Sequence, residues 1–182
     1  TLRAGIYLVA WSILALWFLR GSYKQDAMAA DDRITQRMIR LSAPALIVFA
    51  VTVTFASIDW MMSLDPHWYS TLYGVYYFTG CVVGFFAFMC LLTVAMRRAA
   101  LLGGAVSVEH VHDLGKLLFA FTVFWAYIAF SQYFLIWYAN IPEETEFYLH
   151  RAQGGWQHVS LLLAVGHFAV PFLFLMSRTI KR

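Results

Sequence analysis

Long apolar runs alternate with short polar ones along this chain. The apolar runs cover 2–19, 41–62, 73–96, 117–138 and 159–176. Each is close to the ~20 residues that a helix needs to cross a ~30 Å hydrocarbon core. Lipid offers an open-ended segment no other way to satisfy its backbone groups, so the pattern predicts five transmembrane helices. The alternating segments of ~10 residues that make a membrane β-barrel are absent. The expected fold class is all-α: a polytopic transmembrane helix bundle of five spans, with 1–182 as one transmembrane domain.

Composition agrees. Hydrophobic residues are 62% of the chain and charged ones 13%, about half the ~25% charge of a soluble domain. The charge is also asymmetric. Loops 20–40, 97–116 and 177–182 hold 11 of the 13 Lys and Arg, and the opposite side has only Arg3 and Arg151. The positive-inside rule therefore puts 20–40 and 97–116 in the cytoplasm and 63–72 and 139–158 outside. Topology thus explains the net charge of +3, and no nucleic-acid partner is implied. Trp60, Trp68, Trp137 and Trp156 fall at the outer ends of their spans, as an aromatic belt does. The chain begins without Met, enters a span at once and ends in a loop-like 177–182. It reads as a fragment of a longer protein.

Some residues shape the helices. Gly80 and Gly84 form a small-xxx-small pair that lets a neighbouring helix approach. Pro44 falls in the first turn of the second span, where its missing N–H costs little. Pro171 lies inside the fifth span and is expected to kink it, freeing the carbonyl of His167. Cys81 and Cys90 lie nine residues apart on one helix, too far to bond, and read as packing residues. No C-x-x-C or C-x-x-C-H occurs, so no iron–sulfur or c-type haem motif is present.

The remaining polar groups carry whatever chemistry there is, because ionisable residues in lipid are costly. Thr52, Asp59 and Ser63 form one stripe on the second span. Asp59 reads either as a helix-end carboxylate in the headgroup layer or as an outer proton acceptor or quinol ligand. The outer loop Asp65-Pro66-His67-Trp68-Tyr69 is a turn that also places an imidazole beside a carboxylate. Glu109, His112, Asp113 and Lys116 share one helix face if the helix starts near Ser107; they form either a paired helix end or a proton-collecting mouth. Tyr127, Ser131, Gln132 and Tyr133 lie at membrane depth, and Gln132 is expected to face protein. His167 is near the middle of the fifth span, as an interhelical hydrogen-bonder or as a quinone or proton-wire partner. His158 and His167 fall on opposite faces, so paired axial ligation of haem is not expected. No metal-ligand spacing occurs at membrane depth.

Three stretches carry a family resemblance. They are 55–71, with Asp59-Trp60-Met61-Met62-Ser63-Leu64-Asp65-Pro66-His67-Trp68-Tyr69 inside it; His112-Asp113-Leu114-Gly115-Lys116-Leu117-Leu118-Phe119; and Phe130-Ser131-Gln132-Tyr133 with Ile136-Trp137-Tyr138-Ala139-Asn140-Ile141-Pro142-Glu143-Glu144. They resemble the ActF membrane subunits of alternative complex III, a quinol:cytochrome c oxidoreductase whose ActF subunits belong with NrfD/PsrC-like proteins. The resemblance implies one half of a subunit built from two four-helix bundles, in the bacterial inner (cytoplasmic) membrane. It implies a respiratory or photosynthetic complex passing electrons from quinol, such as menaquinol, to a periplasmic acceptor. The implied partners are a homologous NrfD-like subunit, an iron–sulfur subunit and c-type cytochromes; iron–sulfur clusters and haem c reside in them and none in this fragment. The implied role of this subunit is proton transfer or translocation, with quinol binding as a further candidate role, and the proton-transfer candidates have an outer group of Asp59, Asp65, His67, Glu143 and Glu144. An inner group is His112, Asp113 and Lys116, with Tyr127, Gln132 and His167 between them. Asp59, His67 and His167 are the quinol candidates. The competing reading is a non-catalytic assembly subunit of the same complex. A transporter fragment fits less well, since no broken helix pair or internal repeat is present.

Overall fold

A computed structural model describes residues 2–28, 32–102 and 104–177. Arg178, Lys181 and Arg182, counted above in the topology, lie outside the described residues. The architecture is all-α, with five helices long and apolar enough to cross a membrane. The chain is a multi-pass membrane protein. It divides into two compact units, 1–64 and 65–182.

The first unit is a helical hairpin, α1 (Leu2–Ala27) and α2 (Asp32–Trp60), followed by a 3-10 turn at Met62–Leu64. The helices are longer than the apolar runs. The stretch 20–40, expected as a loop, is mostly two helix extensions. Hydropathy marks where a helix meets lipid, not where it stops, and Arg, Lys, Gln, Met and Ala all favour helix. The extensions stay in contact: Gln25 Nε2 donates to Thr35 Oγ1 at 2.7 Å, and the Arg37 guanidinium lies over Trp17 at 5.9 Å. A Cβ on Gly21 would fall 2.8 Å from Met38 Sδ, which shows how closely the backbones approach. One expectation is corrected here. Because α2 begins at Asp32, Pro44 lies inside the helix and not in its first turn. It therefore removes an interior hydrogen bond to the Arg40 carbonyl.

The second unit holds α3 (Tyr73–Arg98), α4 (Val108–Ala139), the short α5 (Pro142–Arg151) and the fifth span. That span is segmented: α6 (Trp156–Leu162), a π-helical stretch at Leu163–Ala169, and α7 (Val170–Met176). The π stretch ends where Pro171 enters. The proline ring lacks an N–H and crowds the carbonyl four residues back, that of His167. Widening the turn relieves the clash without breaking the span. α3 and α4 make the most extensive helix contact, and α4 also packs on α7. The buried residues of α4, Val111, His112, Gly115, Thr122, Trp125, Ile128, Gln132 and Ile136, recur at helical spacing. Ser107 caps α4: its N–H donates to His110 Nδ1 at 3.1 Å, so a histidine fills the usual glutamate position of a capping box. It ends at Asn140, with φ +50°, before Pro142 opens α5.

Much of the apolar surface faces outward. Leu91 is 73% and Leu173 67% exposed, and no residue of the fifth span is buried. Such a surface is stable only against lipid or neighbouring apolar helices.

Candidate functional site

In the first unit the polar stripe of α2 is turned onto α1. Asp59 accepts a hydrogen bond from the Tyr7 hydroxyl at 2.7 Å and pairs with Arg3 at 3.0 Å. Thr52 Oγ1 accepts from Trp11 Nε1 at 2.9 Å while donating to the Val48 carbonyl at 2.7 Å. Trp60 closes the joint, taking the edges of Tyr7 and Trp11 at 5.9 and 5.8 Å. Ser63 lies beyond α2, in the 3-10 turn, and donates to the Asp59 carbonyl at 2.6 Å. The Asp59 carboxylate thus has a cation, a phenol and 15% side-chain exposure. It joins two helices, and sequence alone showed none of its partners.

The other candidates belong to the second unit, where they separate. Asp65 Oδ1 accepts from the His67 backbone N–H at 3.3 Å, closing a turn, and the His67 side chain is exposed. Glu143 and Glu144 occupy the first turn of α5, where acids complement the helix N-terminus. On α4, His112 is buried, whereas Asp113 and Lys116 pair at 2.6 Å in solvent reach. The expected inner group therefore divides between the helix's packed and open faces. Trp68, expected in an aromatic belt, is 4% exposed. It stacks on Phe147 at 3.7 Å and takes the edge of Tyr73 at 5.7 Å. It is a core residue because α5 folds back over the 65–72 turn.

A cleft of about 1150 Å³ opens between α3, α4, α5 and the fifth span. One wall is Tyr76 and Trp125, their rings 5.6 Å apart. Trp125 packs against Gly80 of α3, where a Cβ would lie at ordinary contact distance, 3.6 Å from Trp125 Nε1. Gln132 is buried and lines the cleft beside Tyr133, and Tyr127 lines it from an exposed position. Tyr148 and Arg151 of α5 close one end. Burial, then the neighbouring Tyr76, pushes the Tyr148 phenol up to about 12, so it stays neutral and can donate a hydrogen bond throughout the physiological range. Burial also holds the Arg151 guanidinium below its ordinary value. His167 stands behind the wall, its ring 4.4 Å from Trp125 in an edge-on contact and seated on the π stretch. Rings thus run in series from Trp68 through Tyr73, Tyr76 and Trp125 to His167.

Of the residues singled out by sequence, this cleft gathers Tyr127, Gln132 and Tyr133, with His167 one ring away. Tyr73, Tyr76, Trp125, Tyr148 and Arg151 were missed. Their signal was the density of tyrosines at 73, 76, 133 and 148, which hydropathy treats as ordinary span or loop residues. The arrangement suits a flat, largely apolar guest: aromatic faces hold a ring, while one amide and several phenols can meet its oxygens. Among the described residues no cluster of His, Cys, Asp and Glu could hold a metal ion. No protein-family model and no curated protein matches the chain.

Proposed function

We propose that this chain is a membrane subunit of a quinol:electron-acceptor oxidoreductase of the alternative complex III type, in the bacterial inner membrane. In this reading the aromatic cleft of the second unit binds quinol. The observation that carries it is the buried Gln132 amide beside the Tyr76–Trp125 wall. A quinol ring lies against the indole and phenol faces, and its oxygens meet Gln132 and the tyrosine hydroxyls. Electrons leave through iron–sulfur and haem c groups of partner subunits. Released protons pass to titratable side chains of this chain, with His167 the imidazole nearest the wall. The 63–72 and 139–158 loops face the periplasm, by the charge asymmetry.

The test is a density map of the purified complex with an added naphthoquinol, together with its affinity for that ligand. Density against Trp125 and Gln132 is expected, and Gln132→Leu is expected to weaken binding at least tenfold, about 1.4 kcal/mol. Ligand confined to a homologous partner subunit, with affinity unchanged in Gln132→Leu, overturns the quinol site. The assembly-subunit reading draws on Asp59, whose ion pair and hydrogen bond make it a helix joint. It predicts that substitutions at Gln132 and His167 leave turnover unchanged once the complex has assembled.

A further inference from the structure

The residue at the end of the cleft that quinol binding does not use is Arg151. Its guanidinium carbon lies 3.2 Å above the Phe147 ring, and Nη1 donates to the Phe147 carbonyl at 2.9 Å. Phe147 in turn lies flat on buried Trp68, with an interplanar angle of 12°. This three-layer stack fixes the guanidinium plane, so little side-chain freedom remains to be lost on binding. Arg151 makes no salt bridge among the described residues, and it is the one charged side chain lining the cleft. Asp65 acts on it only through the wider field.

Arg151 is exposed, so its guanidinium is open to a ligand at the cleft mouth. The C-terminal dipole of α5 accounts for a basic residue in that turn. It does not account for one lining the cleft, and His150 in the same turn instead meets Glu146 at 3.7 Å. Around Arg151 the cleft offers the hydroxyls of Tyr73, Tyr76 and Tyr148 as further donors. Beyond them its lining is mostly apolar, with Phe130, Leu163 and Phe168, interrupted by the polar Gln132, Gln157 and Ser160. A fixed donor fork ringed by phenols and backed by an apolar trough matches one chemistry: an oxyanion carrying a hydrocarbon tail.

We propose that the Arg151 end of the cleft binds the phosphate of an anionic phospholipid, with an acyl chain lying along the cleft mouth. Two of the phosphate oxygens face the free guanidinium N–H groups, and the phenols complete the shell. A free phosphate ion would leave the apolar trough unused, and a neutral diacylglycerol would leave Arg151 without its counter-charge. The inference rests on α5 and does not require quinol in the cleft.

The test is native mass spectrometry of the full chain in detergent, titrated with phosphatidylglycerol, with dioleoylglycerol and with inorganic phosphate. Phosphatidylglycerol is expected to bind at least tenfold more tightly than dioleoylglycerol. Arg151→Gln is expected to remove that preference and His150→Gln to keep it. Equal binding of the two lipids, an unchanged preference in Arg151→Gln, or displacement by equimolar inorganic phosphate overturns the proposal. A second measurement needs no variant. Phenylglyoxal modification of Arg151 in the wild-type chain, followed by peptide mass, is expected to be suppressed by phosphatidylglycerol. Modification at an undiminished rate counts against the site even if Arg151→Gln fails to fold.

Discussion

Asp59 shows what one polar side chain in an apolar helix is for when its surroundings are known. Its partner Tyr7 lies 52 positions earlier in the chain, and the bond between them is 2.7 Å. Asp59→Ala removes the counter-charge of Arg3 and the acceptor of Tyr7 together, whereas Tyr7→Phe removes only one donor. Thermal unfolding of the chain in detergent should therefore rank wild type above Tyr7→Phe and Tyr7→Phe above Asp59→Ala. Thr52→Val, which removes the acceptor of Trp11, is expected to cost about 0.6 kcal/mol, the average for an interhelical hydrogen bond in lipid. The sequence showed that Asp59 and Thr52 needed partners, since both lie in a run of apolar residues. It did not show which partners, because a hydrogen bond between helices depends on their rotation and depth, and neither is written in the local pattern.

At the scale of elements, the glycine pair of α3 separates into two different residues. Gly80 faces Trp125, and nothing lies within 4 Å of a Cβ placed on Gly84. Gly80→Ala puts its methyl at ordinary contact distance and should be tolerated, whereas Gly80→Leu should wedge α3 from α4. Overpacking of that kind costs roughly 1–3 kcal/mol. Gly84→Leu should cost less than Gly80→Leu in the same unfolding assay. In the fifth span, Pro171→Ala restores an N–H and removes the ring that crowds the His167 carbonyl. The π stretch is expected to tighten to α-helix and to turn His167 away from Trp125, which loss of histidine quenching of indole fluorescence would report. α5 carries a pH signature. The Tyr148 phenol moves from an ordinary 10 to about 12 by burial. Below pH 10 it is neutral both folded and unfolded, so stability does not change there on its account. As pH rises from 10 towards about 12 the unfolded chain ionises first, and stability falls through that window. Denaturation midpoints across this range should drop less in Tyr148→Phe than in wild type.

At the scale of the molecule, the outward apolar faces make a claim that is easy to test. Leu91 and Leu173 are strongly exposed on different spans. If those faces meet lipid, Leu91→Arg or Leu173→Arg should each impair insertion by about 2.5–3.5 kcal/mol near the bilayer centre. The check is a glycosylation-reporter or carbonate-extraction assay, with Lys24→Arg, in the polar extension of α1, as a neutral control.

The apolar pattern by itself determined that five helices cross a membrane and that no other secondary structure spans it, because hydrocarbon leaves the backbone no alternative. It also marked Gln132 as facing protein and Pro171 as a disturbance in the fifth span. It misplaced Pro44 within α2 and Trp68 in a belt, since hydropathy locates the lipid boundary and not the helix end or the fold-back of α5. Tertiary packing alone decided that Asp59 is tied to Arg3 and Tyr7. It also divided His112 from Asp113 and Lys116, and it gathered Tyr76, Trp125, Gln132, Tyr148 and Arg151 around one cleft. Those residues come from three helices, and what unites them is the contact of α3 with α4 and the return of α5 over their end. Local periodicity records which face of a helix is apolar; which faces meet is set by the packing of whole helices.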